Sequence, residues 1–260
     1  MKKLNFRMVL MATLVIGSTA FVSCSSDDED GSNGGMETSK RIKKITDKYD
    51  GGITTITFDY DAQGRVIKKL ETENKWKCKT TYAYGDNTIS SKNDEGETHT
   101  YTLSDGRITK DVVRDGGGYS DTYNYTYDSN GYLKSRSFSY SETKELTWAD
   151  GNLTKTSTLL GNDDSYNWVI SYSNISWPKN FMLDVEYLPI DNALEPLGVW
   201  GRMPKNLPSK AVHSGKDINI EYTYNYTIEG GVITKIVITD NGIAEGEPIA
   251  ETETLTIEWE

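Results

Sequence analysis

Cysteine is nearly absent from this chain: Cys24 and Cys78 are the only two in 260 residues. Histidine is equally scarce, with His99 and His213 alone. No His-Glu-x-x-His metal motif and no Gly-x-Ser-x-Gly nucleophile elbow occurs. The acidic residues are plentiful, yet none fall in the spacing of an EF-hand calcium loop. The chain therefore calls for no cofactor and no metal, and no catalytic set emerges from it. Positive charge is short as well, 28 Lys and Arg against 39 Asp and Glu, for a formal charge of −11. Nucleic-acid binding rests on neutralising phosphates, so an acidic chain without a basic stripe is not built for it. Long apolar runs are missing too. The longest, Met8 to Phe21, holds about 14 residues, too few for a spanning helix.

That run sits in a leader. Lys2, Lys3 and Arg7 give a positive start, the apolar stretch follows, and small residues lead to Cys24, which defines a signal peptide over 1–23. Phe21-Val22-Ser23-Cys24 resembles the lipobox of bacterial lipoproteins, although Leu is commoner at its first position and Ala or Gly before the cysteine. The resemblance implies cleavage before Cys24 and acylation of that residue, so that the membrane is a partner through the lipid. Several acyl chains hold a protein on a bilayer where one does so only marginally. With Cys24 lipidated, Cys78 is left alone and no internal disulfide can form. Residues 24–39 carry Asp27-Asp28-Glu29-Asp30 and then Gly and Ser, a composition that cannot bury apolar surface and forms an extended tether. An acidic run just after the lipid cysteine resembles the surface-export signal of Bacteroidetes. The expectation is an outer-membrane lipoprotein exposed at the cell surface, a periplasm-facing position being the alternative. Removing the three positive charges of the leader takes the formal charge from −11 to −14.

From residue 40 to 260 the pattern is alternation broken by regular turns. Five segments run from an aromatic or leucine, through a short polar bend, to an aliphatic residue: Tyr60 to Val66, Tyr84 to Ile89, Leu103 to Ile108, Tyr127 to Leu133 and Trp148 to Leu153. A looser sixth runs from Tyr226 to Ile233. Gly or Asn supplies the positive φ that each bend needs, and Asp bonds its own backbone. Thr, Tyr, Val and Ile on alternating faces suit strands. The fold class is all-β: an antiparallel hairpin meander of about 12 to 14 strands. So many strands close into a soluble barrel or a strongly curled sheet. Lys134 and Arg136 on one face of a strand, with serines on the other, leave neither face fit for lipid.

Tyr60-Asp61-Ala62-Gln63-Gly64-Arg65-Val66 resembles the core of a YD repeat, the hairpin unit of shell-forming secreted proteins. The leader, the hairpins and the late segment from Leu197-Gly198 to Ser209-Lys210 more closely resemble a Bacteroidetes lipoprotein family of unknown function with a porin-like fold. That resemblance covers about Arg41 to Glu260. It implies a fold and a location, and no activity.

Five of the six prolines fall between 173 and 214, which predicts a lid insertion outside the main ladder or at its edge. Asp191 is placed to cap a short helix near 191–201, ended by Gly201. The segment is rich in aliphatic residues and packs as a lid or plug at one end of the barrel. Trp177 and Trp200 within it are the candidate ligand-binding residues, because indoles stack on sugar rings and pockets favour barrel mouths. The same indoles would equally serve to seal a core beneath the lid. The tyrosine rows are explained by cross-strand pairing, and the turn aspartates by capping. The expected function is a non-catalytic, surface-anchored module that binds a glycan or a partner envelope protein. A structural envelope protein with no small ligand is the alternative, and a glycoside hydrolase ranks below both.

Overall fold

Two kinds of turn chemistry reverse the chain. At Asp128 a carboxylate oxygen accepts the N–H groups of Asn130 and Tyr132, each at 2.9 Å. Asp61 does the same for Gln63 and Arg65. At Asp105-Gly106 and Asp150-Gly151 the bend is only two residues, both at positive φ, the geometry whose twist matches that of the flanking strands. A computed structural model describes residues 40–138, 142–160, 165–183 and 185–260. The predicted signal peptide, Cys24 and the tether lie outside the described residues.

The first strands are β1 (Ile42–Tyr49), β2 (Gly52–Tyr60), β3 (Val66–Glu73), β4 (Trp76–Tyr84), β5 (Thr88–Asn93) and β6 (Thr98–Ser104). Next come β7 (Arg107–Arg114), β8 (Ser120–Tyr127), β9 (Leu133–Phe138), β10 (Thr143–Ala149) and β11 (Asn152–Leu159). The last are β12 (Ser165–Ser176), β13 (Asn206–Gly215), β14 (Ile218–Glu229), β15 (Val232–Ala244) and β16 (Glu247–Trp259). Each pairs antiparallel with its sequence neighbour, and β1 pairs with β16, so the sheet closes into a barrel.

Sixteen strands stand where the sequence predicts 12 to 14. The six motif copies join β2 to β3, β4 to β5, β6 to β7, β8 to β9, β10 to β11 and β14 to β15, which accounts for twelve. The other four lack a motif turn: β12 and β13 flank the proline-rich segment, and β1 and β16 meet across the closure. The insertion is also narrower than 173–214, since β12 runs to Ser176 and β13 starts at Asn206. Pro208 therefore lies inside a barrel strand, opposite Tyr172, where the register shifts on both sides. A bulge tolerates the N–H that proline lacks.

The segment from 177 to 205 is a plug inside the barrel. Phe181, Leu183, Tyr187, Leu194 and Trp200 on it join one buried cluster with residues from around the wall, including Ile45, Phe58, Tyr82, Tyr125, Leu146 and Ile236. The predicted helix is a shorter 3-10 turn over Asn192–Leu197, capped by the Asp191 carboxylate on the Ala193 N–H and ended by Gly198 at φ +68. Gly201 lies beyond it and has a different task. A Cβ there would stand 2.4 Å from the Gly131 carbonyl oxygen, so this residue lets the plug backbone touch the rim. The outer face of β2 is mixed: Thr54 and Phe58 are buried, while Ile53 and Asp59 of the opposite face are exposed, with Thr55 and Thr57 between them.

Candidate functional site

The repeated motif builds a girdle at the rim where the plug enters. Its aliphatic residues, Ile42, Val66, Ile89, Ile108, Leu133, Leu153, Leu207 and Ile233, form an inward ring, none more than 4% exposed. Its aromatics tie neighbouring hairpins together. Tyr60 Oη donates to the Ile42 carbonyl at 2.6 Å, and Tyr84 Oη to that of Val66 at 2.6 Å. Tyr127 bonds Ile108, Trp148 bonds Leu133, Tyr172 bonds Leu153, Tyr226 bonds Pro208 and Trp259 bonds Ile233. Only Leu103 has no polar tip to offer. Arg41, Arg65 and Arg107 cap the Tyr60, Tyr84 and Tyr127 rings at 4.9, 4.4 and 5.0 Å. Tyr84→Phe is expected to lower unfolding stability in urea by about 1 kcal/mol, the worth of one such bond. An unchanged midpoint would show that the latch contributes nothing.

The plug is stitched to this rim through its backbone. Ile108 N–H donates to the Val199 carbonyl at 2.8 Å, Arg202 N–H to that of Gly131 at 2.9 Å, and Lys205 N–H to that of Gly151 at 2.9 Å. Deeper in, Asp191 accepts the hydroxyls of Tyr101 at 3.1 Å and Tyr82 at 3.3 Å. The two predicted ligand residues are spent here. Trp200 is 2% exposed, donates its indole N–H to the Asp191 carbonyl at 3.0 Å, and meets Tyr101 and Tyr125 edge-on. Trp177 is partly buried and bonds Glu195 Oε1 at 2.6 Å. Trp200 is thus enclosed while Trp177 keeps a partly exposed face, and the aliphatic run around them goes into the lumen instead of over it. Glu195 is buried among these groups, and burial pushes its carboxyl well above the usual range.

Charged residues gather on the lumen wall of β6 to β10, toward the other rim. His99 Nδ1 is 2.7 Å from Asp111 Oδ2, and Nε2 is 3.3 Å from Glu97 Oε1. Burial opposes charging this ring, but its bonds to Asp111 and Glu97 carry the pKa up to about 9. The pair is an imidazolium between carboxylates. On β9, Arg136 meets Glu142 at 2.5 Å and covers the Tyr123 ring at 5.0 Å. Lys144 on β10 donates to the Glu186 carbonyl at 2.9 Å, and burial, with Arg136 beside it, lowers its pKa to about 8. Further round the wall, on β13, His213 stacks on Trp168 of β12, 4.2 Å apart and 6° from parallel. Burial and the nearby Lys144 bring it down to about 4.

His99 and Asp111 resemble the base and orienting acid of a hydrolase. The nitrogen that would take a substrate proton is occupied by Glu97, and both residues are 2% exposed. The cluster serves as buried charge pairing. Among the described residues no three His, Cys, Asp or Glu side chains come together as a metal site requires. Sequence reading missed this wall because its members, such as His99 and Asp111, are joined only by strand pairing.

A closed antiparallel barrel filled by its own inserted segment is the class of protein that this geometry defines. Residues 58–235 match the family described as a domain of unknown function (DUF4595) with porin-like fold, and the chain belongs to it. No curated protein matches the chain. A porin-like protein from Bacteroides uniformis has a similar structure, with a TM-score of 0.65 and 20% identity over 84% of this chain and 96% of that one. A porin-like protein from Bacteroides vulgatus gives 0.60 and 13%, covering 85% of this chain and 99% of that one. The likeness extends to the fold. The family indicates no catalytic activity.

Proposed function

We propose that this protein is a non-catalytic binding module of the cell envelope, lipid-anchored at Cys24 on the outer membrane and exposed at the surface, with a protein as its partner. The observation that carries this reading is the plug. Phe181, Leu183, Tyr187, Leu194 and Trp200 pack into the lumen, which speaks against a solute channel and turns the reading to the barrel's outside. That outside does not suit lipid, which requires an apolar band on the outward positions of every strand. The motif tyrosines hydrogen-bond neighbouring strand carbonyls at the rim and are half-buried there, so they form no exposed platform for stacking sugar rings. This favours a protein partner over a glycan.

Photo-crosslinking of the full-length protein on intact cells tests the reading. A stoichiometric protein adduct is expected, lost when Cys24→Ser detaches the barrel from the membrane. Absence of any specific adduct, together with saturable quenching of tryptophan fluorescence by a polysaccharide, would replace it with the glycan version.

A further inference from the structure

The barrel rim opposite the plug is uneven. Strands β1 to β11 have six to nine residues, whereas β14 has 12 and β15 and β16 have 13 each. With β13, whose Gly215 is opposite Ile218 as Ile218 is opposite Ala244, they rise as a tower. Pairing of β15 with β16 continues to Ala244 opposite Glu247, while β1 leaves β16 at Lys48 opposite Thr254. Residues 248–252 of β16 thus have a paired side toward β15 and, among the described residues, an open one. The two-residue bend at Glu245-Gly246, both at positive φ, sets the alternation. Glu247, Ile249, Glu251 and Glu253 direct their N–H and C=O groups at β15; Pro248, Ala250 and Thr252 direct theirs outward. The open edge therefore presents the donors of Ala250 and Thr252 and the carbonyls of all three residues. Ala250 and Thr252 are exposed.

Charge at this edge is of one sign. From residue 236 to 260 there are seven acids and not one Lys or Arg. Asp240 and Glu251 are directly opposite each other, a like-charge pair that costs stability in a sheet. Glu253 is two residues along on the same face. Two such edges brought together would set these acids against each other, which excludes a second copy of the chain. The predicted tether with Asp27-Asp28-Glu29-Asp30 is excluded for the same reason. Pro248 and the glutamates are devices that keep an edge from pairing with its own kind. The same charges select an oppositely charged strand.

We propose that the open edge of β16, from Pro248 to Thr252, is a docking site for an extended, basic segment of the partner, which adds to the sheet as a further strand. Backbone bonds to Ala250 and Thr252 hold it. Its alternate Lys or Arg side chains lie beside Glu251 and Glu253 and relieve the repulsion between Asp240 and Glu251. This identifies the surface used by the binding module proposed above and rests on that reading.

The probe is a short synthetic peptide alternating lysine and valine, titrated by fluorescence anisotropy against the full chain in detergent. Three comparisons go with it: the same peptide N-methylated at alternate amides, a glutamate–valine counterpart, and the Thr252→Pro variant. Thr252→Pro removes an outward donor without touching the β15 ladder or the charge. Saturable binding is expected, weakened about fivefold or more by Thr252→Pro, which loses one backbone bond of about 1 kcal/mol, and more steeply by N-methylation, which blocks alternate bonds along the peptide. The double variant Glu251→Lys, Glu253→Lys should lose the lysine peptide and gain the glutamate one, which tests the site even if Thr252→Pro misfolds. Equal affinity for the methylated peptide would mean charge attraction without strand addition and would overturn the proposal, as would no binding. A crosslinked partner on cells that survives Thr252→Pro would refute this edge and leave the module reading standing. Loss of every crosslink in the unmodified protein would refute that reading itself.

Discussion

Replacing residues 178–204 with an Asn-Gly turn is expected to abolish folding rather than open a pore. The plug contributes Phe181, Met182, Leu183, Val185, Tyr187, Leu188, Ala193, Leu194, Val199 and Trp200 to the buried hydrophobic residues. At roughly 1.5–3 kcal/mol for each large apolar side chain, their burial is worth about 15–25 kcal/mol, more than the 5–15 kcal/mol of net stability that typical domains have. The wall would in turn expose Tyr82, Tyr101, Tyr125 and Trp168 to a flooded lumen. The measurement is near-ultraviolet circular dichroism with limited proteolysis of the variant. Loss of the aromatic signal and rapid digestion of the whole chain are expected. A protease-resistant barrel that conducts ions in a planar bilayer would show that the plug is a removable gate and that the wall holds itself.

The girdle explains how the wall could be so regular with so little apolar content. Each hairpin adds one aliphatic residue to a ring and, except where Leu103 stands, one aromatic that reaches back to its neighbour, as Tyr84 does to Val66. Eight such positions close the circle, with the plug inserted at one and β1 meeting β16 at another. Arg41 and Glu260, bonded through both backbone groups at 3.0 and 2.9 Å, seal that last position.

Much of this was legible in the sequence, and the illegible part has a common cause. The bend chemistry at Asp61, Asp105, Asp128 and Asp150 is local, so hairpins and antiparallel order follow from it. The barrel follows in turn, since that many strands need closure. The latch from Tyr84 to Val66 joins different repeats, and nothing in either segment points to the other. The placing of Pro208 inside β13 depends on a bulge formed with β12, and a rule about single strands could not foresee it. The aliphatic run from Met182 to Val199 suits a lid and a plug alike; only the width of a sixteen-strand lumen decides between them. That choice then encloses Trp200 and leaves Trp177 partly buried. His99 and Asp111 on β6 and β7 are diagonal neighbours, two residues out of direct register on one face, because Tyr101 is paired with Asp111 and His99 with Val113.

The two histidines act on stability on opposite sides of pH 6.5, His99 above it and His213 below it. His99 has a folded pKa of about 9 against 6.5 for the free side chain. Between those values the native state holds a proton that the unfolded state has lost. Its contribution is complete below 6.5 and disappears as pH rises through 9. The size is about 3 kcal/mol at one pKa unit per 1.4 kcal/mol. His213 works in the opposite sense. With a folded pKa of about 4, it stays neutral where the unfolded chain takes up a proton, so stability falls as pH drops from 6.5 toward 4. His99→Gln leaves Asp111 and Glu97 without their cation and is expected to cost about 3–5 kcal/mol at pH 6, the penalty for breaking a buried pair. The loss should shrink toward pH 9, because the unmodified protein is giving up the same interaction there. Urea unfolding of both proteins across this range provides the test. A deficit in His99→Gln that stays constant with pH would mean that His99 is neutral in the fold and that its two carboxylates hold no imidazolium.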